Sequence, residues 1–259
     1  MSLSLQKASF WKRISAYLFD FIVTIMLALA FSTAITAVCG YDQKAAELNE
    51  YYARYEEQFQ IDFDISEEDY NLLTDAQKQV YNDAQKALNN DAGFQKVYQD
   101  VFYLTLLMHG GGAFLAFLVW YFILPLCFGY GRTLGKKIFG LAVIRTNFVK
   151  VSNPVLFIRT MVGMYAIETM MPIALITMIS FNMMGIVGLI TIGLLGILQV
   201  AMLLVTQTNS SIHDLLADTV VVEYENQQIF DTQDDLLKYQ QEEHAKAVEN
   251  AEYARFQNK

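Results

Sequence analysis

Two carboxylates lie within long apolar runs. Asp20 interrupts the stretch from Ile14 to Val38, and Glu168 is the only charged residue between positions 161 and 206. If each stretch is a helix in a bilayer, an ionised side chain there costs several kcal/mol unless it is protonated, hydrated or paired, so both must face protein rather than lipid. Arg13, Tyr17, Asp20 and Thr24 recur at spacings of four, three and four and share one helical face. Asp20 sits roughly 10 Å along the axis from Arg13, and Glu168 roughly 13 Å along from Arg159, near the bilayer midplane. Pro172, four positions after Glu168, should clash with the Glu168 carbonyl and kink the helix there. Intramembrane carboxylates of this kind can bind and release a proton or a monovalent cation, with Arg13 and Arg159 setting their pKa values and orientation. The same residues serve equally as a structural ion pair in which Arg13 is the mate of Asp20.

A second group follows the last apolar stretch. In Ser210-Ser211-Ile212-His213-Asp214, either serine can cap a short helix whose first turn holds Asp214. Arg13, Arg132 and Arg159 should reach the same level, and the bidentate preference of guanidinium for carboxylate predicts that one of them meets Asp214. His213 and Asp214 have no serine or cysteine nucleophile arranged with them, so no enzyme chemistry is expected. His109, ahead of Gly110-Gly111-Gly112, can titrate near neutrality, or it simply overlies a tight helix crossing. Zinc-type cysteine spacing, a Walker loop, a dinucleotide glycine fingerprint and a His-Glu-x-x-His pair are all absent, so neither a metal nor a cofactor is called for. Cys39 and Cys127 form no framework.

The elements that must position these groups are legible in the charge pattern. Of 259 residues, 54% are apolar and 17% charged, and the net charge of −9 is unevenly spread. Segment 40–100 holds 14 acids and 5 bases, 128–160 holds 6 bases and no acid, and 207–259 holds 11 acids and 4 bases. A basic belt between apolar runs excludes a nucleic-acid binder, which would show a basic face on a soluble fold. Four stretches are long enough to cross a bilayer: Ile14–Val38, Val101–Cys127, Val155–Ile179 and Met183–Val205. The last two are joined at Ser180 and Asn182 as a hairpin, and Gly185, Gly188, Gly193 and Gly196 form a packing face on the fourth. The first stretch is too long for a signal-peptide core and should remain as a span. Bases at the N-terminus and in the 128–154 connection place both termini in the cytoplasm, with Cys39 and Cys127 at opposite faces.

The resulting expectation is an all-α membrane protein, a four-transmembrane-helix bundle with an external helical loop and a small cytoplasmic β-ribbon. The loop, 40–100, should be helical over Ala45–Phe59 and Asp75–Leu88. Box-like caps stand at Ser66/Asp69 and Thr74/Gln77, and Tyr51, Tyr52, Tyr55, Tyr70, Tyr81 and Tyr98 should cover its interior. Ala142–Thr146 and Thr219–Tyr224 should pair as the ribbon. Lys136 and Lys137 should face anionic headgroups while Leu134, Ile138, Phe139 and Leu141 dip into the interface. From 225 to 259 a charged cytoplasmic tail should form a solvated helix anchored by Leu236, Leu237, Val248 and Tyr253.

Three segments together resemble the RDD family of bacterial membrane proteins, named for one arginine and two aspartates. They are Trp11-Lys12-Arg13-x-x-Ala16-Tyr17-x-x-Asp20, Gly131-Arg-Thr-Leu-Gly-Lys-Lys-x-x-Gly-Leu-x-Val143, and His213-Asp214-Leu-Leu-Ala-Asp-Thr-Val220. The resemblance covers 8–39 and about 101–223, giving an RDD-like transmembrane domain over 8–224 into which 40–100 is inserted. Asp218 departs from it, standing where the family tends to have glycine. The resemblance implies a multi-pass protein of the bacterial plasma membrane with a suspected transport role, some members being associated with sodium/proton exchange.

The leading expectation is a transport-class protein exchanging a cation or proton through Asp20 and Glu168. The ion network comprises Arg13, Asp20, Arg159, Glu168 and Asp214, with Tyr17, His109, Arg132, Pro172 and His213 as accessories. The alternative is a non-transporting membrane scaffold or regulator, in which Arg13, Asp20 and Asp214 only hold the fold. Expected partners are the lipid bilayer, further copies of the chain in a homo-oligomer, a monovalent cation or proton, and a protein partner at the external loop or cytoplasmic tail.

Overall fold

The computed structural model describes residues 3–180, 185–206 and 210–257. Most of the chain is helical, and it divides into two compact units: Ile25–Ala116, and Met1–Thr24 with Phe117–Lys259. The elements in order are α1 (Phe10–Cys39), α2 (Tyr41–Phe59), α3 (Glu67–Leu72), α4 (Asp75–Asn90) and α5 (Ala92–Phe117). A π-helical segment (Leu118–Ile123) then leads into α6 (Leu124–Phe128), α7 (Leu134–Ile138) and β1 (Leu141–Arg145). Next come α8 (Asn153–Phe157), a second π segment (Ile158–Met170), α9 (Met171–Ser180), α10 (Gly185–Val205), α11 (Ile212–Leu216), β2 (Thr219–Glu223) and α12 (Gln233–Gln257).

Among the described residues three helices are long and apolar enough to cross a membrane: Phe10–Cys39, Ala92–Phe128 and Gly185–Met202. They carry exposed apolar side chains such as Ile22, Met26 and Leu29 on α1 and Ile186, Leu194 and Ile197 on α10, the outward surface a bilayer covers. The region of the expected third span is helical from Asn153 to Ser180, but it passes from α to π and back to α and is not one of the three. The joint to the fourth stretch lies outside the described residues at Asn182, as does the side chain of Ser180. Of the expected glycine face of α10, Gly188 is buried. Space is open around Gly185, Gly193 and Gly196.

The unit of residues 25–116 bears out the helical reading of the acidic loop. Thr74 and Gln77 form a full reciprocal cap, whereas at Ser66 only the hydroxyl accepts the Asp69 N–H. Asp91 accepts from the N–H groups of Gly93 and Phe94 and so starts α5. Phe94 is buried and meets Tyr51, Tyr52 and Tyr98. Phe63 bridges Tyr52 and Tyr81, and Tyr70 meets Tyr81. The tyrosines thus line an aromatic core, and Ala84, Leu88 and Val97 are buried in the same unit. At the triple glycine, Gly112 packs on Ala28 and Ser32 of α1, and Ser32 Oγ donates to the Met108 carbonyl at 3.0 Å.

In the other unit β1 pairs antiparallel with β2, Leu141 opposite Glu223 through Arg145 opposite Thr219. Alternation divides the ribbon's side chains between two apolar clusters. Leu141, Val143 and Val221 join Ala8, Ala16, Val151 and Leu156, while Ala142, Ile144, Val220 and Val222 join Leu5, Tyr130, Tyr224 and Ile229. Leu141 therefore belongs to the ribbon core rather than the membrane interface. Asp218, ahead of β2, has φ +50°. A left-handed turn of this kind favours glycine, and here Thr146 and Arg145 hold the Asp218 carboxylate. Of the expected tail anchors, Leu236 is buried against Val149 and Phe230, Leu237 and Val248 are exposed, and the Tyr253 side chain lies outside the described residues.

Candidate functional site

The unit containing the ribbon gathers five of the expected residues at α11 and seats Asp20 on α7. Asp20 is 1% exposed. Its carboxylate accepts from Trp120 Nε1 at 3.0 Å, from the Gly135 N–H at 2.9 Å and from the Thr133 hydroxyl. Thr133 is itself the cap of α7, its Oγ1 accepting the Lys136 N–H at 3.2 Å. A side chain at position 135 would fall 2.7 Å from Asp20 Oδ1, so only glycine brings the α7 backbone this close. Three neutral donors offset the desolvation of the carboxylate. The expected Arg13–Asp20 pair is not formed. Two helical turns separate the residues, and a second carboxylate approaches Arg13 from elsewhere in the chain.

That carboxylate is Asp214, fully buried on α11. Its Oδ2 accepts from Arg13 Nη2 at 3.0 Å and from Ser211 Oγ at 3.0 Å, and its Oδ1 accepts from Arg159 Nη2 at 2.6 Å and Nε at 3.1 Å. Arg159 Nε also reaches Thr219 Oγ1 at 3.2 Å, tying the pair to the start of β2. Burial alone would raise the Asp214 carboxyl, but the charge of Arg159, then those of His213 and Arg13, hold it well below the usual carboxylate range. Of the three arginines expected at this level two meet Asp214. Arg132 instead lies 4.2 Å over the Tyr224 ring and donates to the Phe128 carbonyl.

Arg159 and Arg13 are therefore not the partners of Glu168 that the sequence suggests. Glu168 Oε1 accepts the His213 backbone N–H at 2.9 Å, and its Oε2 lies 2.7 Å from His213 Nδ1. His213 Nε2 stands 3.7 Å from Asp214 Oδ1, so the imidazole lies between the two carboxylates. Nine residues of α-helix make roughly 2.5 turns and would put Arg159 and Glu168 on opposite faces. The second π segment winds at roughly 4.4 residues per turn and returns both to one face, toward α11. Gly163, between them, makes the contact close: a side chain there would fall 2.8 Å from His213 Cα. Around Pro172 the bonding is i to i−5, with the Met171 N–H bonded to the Ala166 carbonyl and α-helix resuming at Met171.

Tyr17 is mostly exposed and stacks on Phe21, and His109 is exposed on α5 in the other unit. The sequence reading missed the parts played by Trp120, Thr133, Gly135, Gly163 and Thr219. The indole of a tryptophan inside a span requires an acceptor, a signal that could have led from Trp120 to Asp20. Lys136 is half-buried on α7 with its Nζ 6.0 Å from the Tyr121 ring centre, and burial, then Arg159, push its pKa down to about 8.

Both signature aspartates and the signature arginine are thus held in one unit, two of them on each other. No curated protein and no solved structure gives a significant match. The RDD family model matches residues 7–218, most of the chain, and the chain belongs to the RDD family.

Proposed function

We propose that this protein is a four-span membrane protein of the transport class that exchanges a proton or monovalent cation at Glu168. Residues 153–180 act as the remaining span, and both termini and the basic 128–154 connection lie on the cytoplasmic side of a bacterial plasma membrane. The observation that carries the reading is the Glu168–His213 pair. A carboxylate within an apolar helix is fastened to an imidazole at 2.7 Å, and an ionisable group so placed marks a proton or ion path. Asp20 and Asp214 act in this reading as tethers, the first of α7 and the second of α11, because donors already occupy their oxygens. That leaves Glu168, with one oxygen on the His213 N–H and the other at its imidazole, as the exchanging carboxylate. Four spans line a thin pathway, so a homo-oligomer is its physical corollary.

The test is sodium- or potassium-dependent collapse of a pH gradient in liposomes holding the purified chain. Flux in the wild type that falls at least tenfold in Glu168→Gln supports the proposal, and a wild type without flux overturns it. A scaffold or regulator is the second reading, favoured by the aromatic core that residues 25–116 build for themselves. A protein that co-purifies through the 40–100 loop or the tail, with no flux, is its signature.

A further inference from the structure

Between the end of α2 and the first turns of α4, residues 59–81 leave an open groove of about 480 Å³, a size that ordinary binding pockets have. Its walls are mainly apolar, with Ile61, Ile65, Leu73 and Val80 among them. The two glutamines that line it spend their amides within the chain: Gln60 Nε2 donates to the Glu57 carbonyl at 2.8 Å, and Gln77 Oε1 accepts the Thr74 N–H at 2.9 Å. Val80 is 41% exposed, and Leu72, next in sequence to Leu73, is 84% exposed. The groove lies outside the three candidate spans, so lipid tails do not account for this exposure. Apolar surface gathered in one place marks a contact site.

The charge around the groove says what kind of partner fits. Asp62 lines it; its Oδ1 accepts the Asp64 N–H at 2.8 Å, and among the described residues nothing bonds its Oδ2. Asp64 and Asp75 adjoin the lining residues Ile65 and Ala76 in sequence. From 55 to 77 the chain carries eight acids and no lysine or arginine, and among the described residues none of the eight is in an ion pair. The bases on either side are turned to other groups: Arg54 lies 4.8 Å over the Tyr51 ring, and Lys78 Nζ donates to the Asn71 carbonyl at 3.0 Å. Acids in the first turns of α3 and α4 complement those helices, but Asp62 and Asp64 lie in neither.

We propose that this groove docks a basic peptide segment of a partner protein, which seats an apolar side chain between Ile61 and Val80 and sets lysine or arginine against Asp62 and its neighbours. One small cation meets one carboxylate at a time, whereas a segment with several cations meets several at once, and such complementarity fixes the register of the bound chain. The site supplies the scaffold reading with a partner chemistry and rests on that reading for the partner itself. It needs neither flux nor Glu168.

The test is calorimetric titration of the full chain in nonionic detergent with a short synthetic peptide of leucine and lysine. Two counterparts serve as controls, one with glutamate for lysine and one with serine for leucine. The leucine–lysine peptide should bind about tenfold or more tighter than either counterpart, and tighter still as salt falls. Asp62→Lys, and Ala76→Trp, which fills the groove, should each weaken it about tenfold. Glu50→Lys, the same charge change at an exposed position of α2, should leave it within about twofold. Equal binding of the serine counterpart, or equal losses in Glu50→Lys and Asp62→Lys, reduces the contact to net charge and overturns the proposal. Full displacement of the peptide by phenethylamine at equal concentration assigns the groove to a small amine and overturns it too. A partner retained through the 40–100 loop by a chain that ignores the peptide overturns the docking site alone and leaves the scaffold reading standing.

Discussion

At the residue scale the two signature aspartates solve the same problem in different ways. Asp20 relies on neutral donors and Asp214 on two guanidiniums, and the difference is measurable. In double-mutant cycles Asp20→Asn should couple to Thr133→Val by about 1 kcal/mol or more, because the two share a hydrogen bond. Asp20→Asn and Arg13→Gln should add to within about 0.5 kcal/mol, as groups without a shared partner do. Strong Arg13–Asp20 coupling in thermal unfolding would restore the ion pair that the coordinates deny. Asp214→Asn strips two buried guanidiniums of their counter-ion and should cost about 3–5 kcal/mol. Because the Asp214 carboxyl is held low, its contribution is complete above the unfolded value of 3.8 and fades only as pH falls below it. The difference in Tm between wild type and Asp214→Asn should therefore be the same at pH 7 and pH 5.

At the element scale, what the sequence disclosed depended on whether the local period was ordinary. The ribbon was legible because β-branched residues are concentrated in 141–145 and 219–223, and α4 because Thr74 and Gln77 announce its first turn. The second π segment was not, since α periodicity is the default, and the sequence paired Glu168 with Arg159 when its partner is His213, 45 residues further on. The motif around Gly131–Val143 was visible, but which carboxylate it served was not, because α7 meets Asp20 across more than a hundred residues of sequence. The π register also makes a prediction of its own. Gly163→Ala should push α11 off the segment, destabilise the protein by about 1–3 kcal/mol as overpacking does, and weaken the Glu168–His213 contact. A methyl that leaves Tm and the His213 imidazole NMR shift unchanged would show that the close approach is not required.

At the scale of the whole molecule the question is which part carries the activity. Arg13, Asp20, Arg159, Glu168, His213 and Asp214 all belong to the unit of residues 1–24 and 117–259, and their hydrogen bonds described above close within it. The other unit contributes its own aromatic core around Phe94 and Phe63, and an excess of acids that solvent satisfies. If exchange occurs at Glu168, replacing residues 42–90 by a short Gly/Ser linker removes α2, α3 and α4 without touching any ligand of Asp20, Asp214 or Glu168. Flux per molecule should then stay within about threefold of wild type, which is less than 1 kcal/mol in barrier, and Glu168→Gln in that background should still abolish it. If the external helices are the working surface of a scaffold, the same excision should instead release the co-purifying partner while the cluster at Asp214 keeps its thermal transition. The two readings thus predict opposite consequences for one deletion, because the loop and the carboxylate site belong to separate compact units.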